Sequence, residues 1–143
     1  VLVFDVNVLL ACFRGDHPQH EVVYPWWRSI LDEETSFHVP DTVWVGLVRI
    51  ATNRRIFPVP ASVDEVFEFV AAVRQQPGYR TGAGDPDVIE EWARCCRQGQ
   101  AAADLVPDAY IAACAVRLGA TVVTWDRDFR RFEGLRLLDP TRP

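Results

Sequence analysis

Apolar residues in this chain follow two alternating rhythms. Val1-Leu2-Val3-Phe4 is an unbroken apolar run that stops at Asp5, and Ala120 to Thr124 is a second, stopping at Trp125-Asp126. Short continuous runs of this kind predict strands buried on both faces, as in a parallel sheet. Ser36 to Val39 and Leu135 to Leu138 predict two further short strands. Between them the spacing is helical. Helices are predicted over Asn7 to Phe13, from His17-Pro18 to about Leu31 with Val22, Val23, Trp26, Trp27 and Ile30 on or near one face, and from Pro40-Asp41 through Val43, Leu47, Ile50 and Ala51. Residues 53–60 read as a loop. Ser62 and Glu65 form a capping box ahead of Val63, Val66, Phe67, Val70 and Val73, which recur at helical spacing until Gln76-Pro77-Gly78 ends the run. A glycine-rich loop follows, with room for a short strand near Tyr79. Pro86 to Arg97 predicts a helix ended at Gly99, and Pro107 opens one that reaches Leu118 and stops at Gly119. Strands alternating with helices predict an α/β fold, a three-layer α/β/α sandwich with a mainly parallel sheet. The length of 143 residues suits a single domain spanning 1–143.

The acids fall at the ends of these elements. In an open α/β sheet, sites form outside the carboxyl ends of the strands. Asp5 directly follows the first strand, and Asp126 and Asp128 follow the strand at 120–124. Asp108 lies in the first turn of the helix leading into that strand, which runs antiparallel to it and so starts beside Asp126. Each acid also has a local role open to it. Asp5 suits a helix N-cap, Asp108 suits the helix dipole, and Asp126 and Asp128 suit a turn. Their joint arrival at one sheet edge adds a further expectation. Clustered carboxylates raise one another's pKa unless a cation compensates. Mg²⁺ takes oxygen ligands and keeps several waters, and Mn²⁺ fits the same donors. A site of this type suits phosphodiester hydrolysis, where one ion activates a water and a second, about 3.5–4 Å away, stabilises the leaving oxygen.

Composition removes competitors. All 15 basic residues are arginine, so the lysine required by a P-loop, by a pyridoxal-phosphate enzyme or by a response-regulator receiver is absent. A net charge of −5 does not suit a passive nucleic-acid binder, although arginine patches and bound ions can reverse the local sign. The 4 cysteines (Cys12, Cys95, Cys96 and Cys114) form no C-x-x-C pair and read as reduced thiols. The 3 histidines, His17, His20 and His38, stand in no recognisable triad. No apolar run approaches the ~18 residues needed to span a bilayer. The chain begins at once with a strand-like run rather than a basic, small-residue leader, so a cytoplasmic location is expected.

Three segments resemble a known family. Val3-Phe4-Asp5-Val6-Asn7-Val8-Leu9-Leu10 is similar to the opening motif of PIN domains. Val106-Pro107-Asp108-Ala109-Tyr110-Ile111-Ala112-Ala113 resembles their central helix. Thr124-Trp125-Asp126-Arg127-Asp128-Phe129, with Phe132 and Gly134-Leu135, resembles their terminal motif. Size and layout resemble the VapC toxins of bacterial toxin–antitoxin pairs, especially an actinobacterial branch that opens with Asp-Val-Asn. The resemblance implies a Mg²⁺-dependent endoribonuclease in which Asp5 and Asp108 bind the metal and Asp126, with Asp128, completes the site. It implies that Asn7 supports Asp5 through a hydrogen bond, with Thr124 in a similar part. It also implies a homodimer, an RNA substrate and a VapB-like antitoxin that blocks the site.

One departure stands out. Gly46 occupies the place where PIN domains commonly carry a glutamate, on the helix after the second strand. Asp104, Asp16 and Asp41 are the acids open to substitute for it, Asp104 being preferred because it neighbours the Asp108 helix. Asp41 suits a cap and Asp16 a turn. Gly46 also motivates a rival reading, a degenerate PIN domain that binds protein or RNA without cleaving. A haloacid dehalogenase-type phosphatase is a weaker rival. Its second Asp, two residues after the first, is replaced by Asn7, and its lysine is missing. Arg49, Arg54, Arg55, Arg127, Arg130 and Arg131 are open to a phosphate-binding rim or to plain solvation. Trp125 is open to stacking on an unpaired base or to packing, and Trp26, Trp27, Trp44 and Trp92 to packing or an interface.

Overall fold

A computed structural model describes residues 1–82 and 85–142. The glycine-rich loop predicted after Gly78 falls partly on residues 83–84, outside the described residues. Four strands, β1 (Leu2–Phe4), β2 (Phe37–His38), β3 (Thr121–Val123) and β4 (Arg136–Leu138), form one sheet in the order β2-β1-β3-β4. Every pairing is parallel. Tyr79 adds a single parallel bridge to Phe37 at the outer side of β2, where the sequence left room for a strand.

Among the described residues six α-helices accompany the sheet: α1 (Val6–Phe13), α2 (His20–Asp32), α3 (Asp41–Ala51), α4 (Val63–Arg74), α5 (Val88–Gln98) and α6 (Val106–Leu118). β2 lies on one side of β1 and β3 on the other. With this strand order, the right-handed crossover rule for parallel strands places α1 and α2 on one face of the sheet and α6 on the other, the layering expected.

The core explains the central strands. Val3, Phe4, Val122 and Val123 are fully buried. The Phe4 ring meets Trp27 at 5.2 Å and Phe37 at 5.5 Å between centroids, both edge to face, so α2 is pinned to β1 and β2 by aromatic contact. On α6, Ala109, Ala112, Ala113 and Ala115 are buried, and their small side chains let the helix lie close on the sheet. Gly119 closes α6 in the left-handed conformation (φ 61°) that favours glycine.

Some boundaries shift for local reasons. α2 begins at His20 rather than at His17-Pro18, because the His17 ring accepts the Gln19 N–H at 3.1 Å and holds a turn there. Pro25 sits inside the same helix. α5 starts at Val88 rather than Pro86, because the Asp85 carboxylate accepts the Asp87 N–H at 3.0 Å. The Ser62–Glu65 capping box forms in full. Two residues of the predicted α4 face, Val63 and Phe67, are each 54% exposed and leave part of that face uncovered.

Candidate active site

The register of β1 against β3 sets one edge of the sheet. Phe4 pairs with Val123, and the Asp5 N–H donates to the Val123 carbonyl at 3.1 Å, so Asp5 leaves the sheet directly beside Thr124. There the Thr124 hydroxyl donates to Oδ2 of Asp5 at 2.8 Å. The Thr124 hydroxyl oxygen in turn accepts the Asp126 N–H at 3.0 Å and an N–H of the Asn7 amide at 3.4 Å. One donor and two lone pairs are thereby all used. Asp5 also caps α1, its Oδ1 accepting the Val6 N–H at 2.7 Å. Its cap role and its place at the sheet edge therefore coexist.

Asp126 caps the short 3-10 turn that follows it (Arg127–Arg131), accepting the Asp128 N–H at 2.9 Å. That turn is tied to the end of α5. Gln98 donates to the Arg131 carbonyl at 2.9 Å and accepts the Glu133 N–H at 3.0 Å, and Arg131 donates to the Gly99 carbonyl at 3.1 Å. Asp108 enters from the first turn of α6. Carboxylate oxygens of Asp108, Asp126 and Asp128 lie within 4.8 Å of one another.

The electrostatics match this crowding. Burial and the charges of Asp5, Asp126 and Asp128 push the Asp108 carboxyl up to about 7, against a smaller opposing effect of Arg131. Asp5 is buried, and burial raises its pKa above the ordinary carboxylate range. The Thr124 and Val6 hydrogen bonds oppose that rise, and the Asp126 charge adds to it. Carboxylates this close are poised for a cation. An all-oxygen donor set is what a hard divalent ion takes. The Oδ1 atom of Asn7, buried and without a hydrogen-bond partner, marks a further polar atom left unpaired next to Thr124.

Every site residue expected from the sequence, namely Asp5, Asn7, Asp108, Asp126 and Asp128, stands at this edge. The tightest group is Asp108, Asp126 and Asp128, and Asp5 accepts one hydrogen bond on each of its carboxylate oxygens. Asn7 bonds to Thr124 rather than to Asp5, so its support is relayed through the hydroxyl. None of the replacements considered for the glutamate at position 46 belongs to the tight group of Asp108, Asp126 and Asp128. Asp16 is exposed and paired with Arg14, and Asp104 is exposed on the 3-10 turn before α6. Asp41 is the first residue of α3, which takes no side-chain cap, and it lines a separate cleft with His38, Tyr110 and Cys114. Gly46 itself faces Val6, next in the chain to Asp5. Gln98 and Arg131, which brace the Asp128 turn, carry no pattern in the sequence that marks them for it.

Comparison with known proteins places this edge in context. A family model described as PIN domain matches residues 2–135. Ribonuclease VapC31 of Mycobacterium tuberculosis is 43% identical over 140 residues, covering 98% of this chain and 99% of its own length. Among solved structures, FitAcB from Neisseria gonorrhoeae superposes with a TM-score of 0.68 at 18% identity over 100% of both chains. VapBC2 from Rickettsia felis, bound to a DNA fragment from its promoter, gives 0.67 at 13% identity over 96% of each. With a parallel α/β sheet, acids gathered at its carboxyl edge and a family match over nearly its whole length, the chain belongs to the PIN domain family.

Proposed function

We propose that this chain is a divalent-metal-dependent endoribonuclease, the toxin of a bacterial toxin–antitoxin pair. The observation that carries the reading is the meeting of Asp108, Asp126 and Asp128, from two distant segments, with the Asp5 charge acting on Asp108. The PIN family match and the ribonuclease relative support the reaction class. Asp5, Asp108 and Asp126, together with Asp128, would hold the ion, and Mg²⁺ is the ion proposed, with Mn²⁺ as substitute. When bound, such an ion lowers the pKa of a water and offsets charge on the phosphate. The chain's own part is positioning. Thr124 fixes the Asp5 carboxylate and the start of the Asp126 turn, and Gln98 holds the Asp128 turn to α5. Gly46 removes one carboxylate from the common family pattern, yet four acids remain at this edge, so the non-cleaving alternative is not adopted.

The proposed partners follow the same reading: RNA as substrate, a VapB-like antitoxin, and a second copy of the chain in a homodimer. An apolar groove of about 400 Å³ lined by Trp44, Val45, Val48, Arg49 and Phe67 is a surface suited to the antitoxin. The site of action is the cytoplasm. No described helix is long and apolar enough to cross a membrane.

Purified, antitoxin-free protein incubated with a mixed RNA pool tests the proposal. Cleavage is expected with Mg²⁺ or Mn²⁺, and its loss in EDTA and in Asp108→Asn and Asp126→Asn. Absence of metal-dependent cleavage in the wild type overturns it.

A further inference from the structure

β2 ends in a histidine whose setting the acidic edge does not explain. His38 is 7% exposed and lines a cleft of about 480 Å³, so the exposure it keeps is toward that cleft. Its Nδ1 lies 2.8 Å from the Arg80 carbonyl. A carbonyl oxygen only accepts, so in the neutral ring Nδ1 carries the proton and Nε2 keeps its lone pair. Among the described residues Nε2 meets no donor. A Cβ at position 82 would lie 2.4 Å from Cε1 and 2.7 Å from Nε2, so only a glycine lets the loop pass here without a side chain over that nitrogen.

The acids around the cleft are of two kinds. Asp85 and Asp87 hold Arg117, at 2.7 Å and 3.3 Å, and their charge is met. Asp41 opens α3, a short step along the chain from His38, and lines the same cleft. It takes no side-chain cap, and among the described residues it has neither an ion pair nor a side-chain hydrogen bond. Tyr110, Cys114 and Leu118 of α6 supply a mainly apolar wall. Burial pushes the Cys114 thiol up to about 11, so it stays neutral. The cleft thus offers two open acceptors, one of them charged, beside apolar surface, and its one arginine is already paired. An anion finds no partner in it. A cation rich in N–H groups does. An ammonium is a compact, strongly hydrated charge, whereas a guanidinium is planar, weakly hydrated and forked. It can serve a carboxylate with one edge and an imidazole with another while its alkyl stem lies on the apolar wall.

We propose that this cleft is a binding site for a guanidinium group, with the Asp41 carboxylate meeting its charge and Nε2 of His38 accepting a further N–H. The site shares no residue with the group of Asp108, Asp126 and Asp128 and does not depend on the ribonuclease reading.

Nuclear magnetic resonance of the RNA-free wild type, with its imidazoles labelled in ¹⁵N and held in mildly alkaline buffer, tests the proposal. Long-range ¹H–¹⁵N correlation first reports the tautomer, and a proton on Nδ1 with none on Nε2 is expected for His38. Two guanidinium probes are then titrated, agmatine as a free compound and N-acetylarginine methylamide as the side chain of a protein. N-acetyllysine methylamide is the ammonium control. Saturable movement of the His38 Nε2 resonance is expected with a guanidinium probe, and weaker binding with the ammonium. Asp41→Asn is expected to weaken the guanidinium about tenfold, the loss of one charge-assisted hydrogen bond. Asp41 is exposed and caps nothing, so the variant keeps its fold, which melting temperatures check. The readout is local to His38, so probe gathering at the acidic edge does not enter it, and Asp41→Asn is expected to leave Mn²⁺ uptake there unchanged. Binding of agmatine alone supports a site for free guanidinium compounds, and binding of the arginine derivative supports one for a protein side chain. A proton on Nε2, a His38 resonance that moves with neither probe, or one that moves as readily with the ammonium or in Asp41→Asn overturns the site.

Discussion

The Thr124 hydroxyl donates to the Asp5 carboxylate at 2.8 Å across 119 residues of sequence. Both are buried, at 3% and 4% exposure, so the bond is shielded from water. Its direction is fixed, because the Thr124 hydroxyl oxygen also accepts the N–H groups of Asn7 and Asp126. Thr124→Val keeps the shape and removes the hydrogen bonds. Asp5 then loses a donor and the Asp126 N–H loses its acceptor. A loss of about 1–3 kcal/mol in stability is expected by denaturant unfolding, together with a marked fall in RNA cleavage. Thr124→Ser restores most of both. A valine variant as stable and active as the wild type would remove the hydroxyl from the site's architecture.

Asp108 gives stability a pH dependence of known sign. Its carboxyl stands at about 7 in the folded chain against an ordinary 3.8, so the folded state holds this proton more tightly than the unfolded state does. Stability contributed in this way is complete below pH about 4 and is lost as pH rises to about 7. In EDTA, the wild type is therefore expected to lose stability over that window relative to Asp108→Asn. Urea midpoints of the two proteins, compared at pH 5 and pH 7.5, check the sign. Parallel midpoints at both values would place Asp108 in an ordinary environment. Because an ion must displace this proton, divalent affinity is expected to rise up to about neutral pH.

Two glycines of very different surroundings make a paired test. A Cβ at Gly46 would lie 3.5 Å from Cγ2 of Val6, an ordinary contact, within α3. Gly46→Ala is expected to stabilise the chain by about 0.5–1 kcal/mol through helix propensity. Gly46→Glu puts a carboxylate beside the Asp5–Val6 step and is expected to tighten divalent binding, as titration calorimetry would measure. A Cβ at Gly78 would come 2.2 Å from the backbone oxygen of Thr35, which cannot move aside. Gly78→Ala is expected to destabilise by about 1–3 kcal/mol. Thermal melts of the two alanine variants should shift in opposite directions.

Much of this edge is legible in the sequence. Val1 to Phe4 and Ala120 to Thr124 read as central strands because burial on both faces demands unbroken apolar runs, and the residues that follow such strands must emerge at one rim. Asp5 and Asp126 therefore came together by topology, and Asp108 by the antiparallel course of α6. The features that the sequence does not reveal depend on partners far away along the chain. The threefold use of the Thr124 hydroxyl requires the exact β1–β3 register, and the route from Asn7 to Asp5 follows from it. Gln98 braces the Asp128 turn from 33 residues upstream of Arg131, a relation no local pattern encodes. The late starts of α2 and α5 arise from the His17 and Asp85 side chains, which bond to the backbone two residues on and compete with the first helical turn.

The most direct check on the site is a Mn²⁺ titration of RNA-free protein, followed by electron paramagnetic resonance of the unbound ion. Saturable uptake by the wild type is expected, with strong weakening in Asp108→Asn and Asp126→Asn while both variants keep the wild-type far-ultraviolet circular dichroism. A wild type that takes up no Mn²⁺, or variants that bind it as tightly as the parent, would contradict a shared cation at these aspartates.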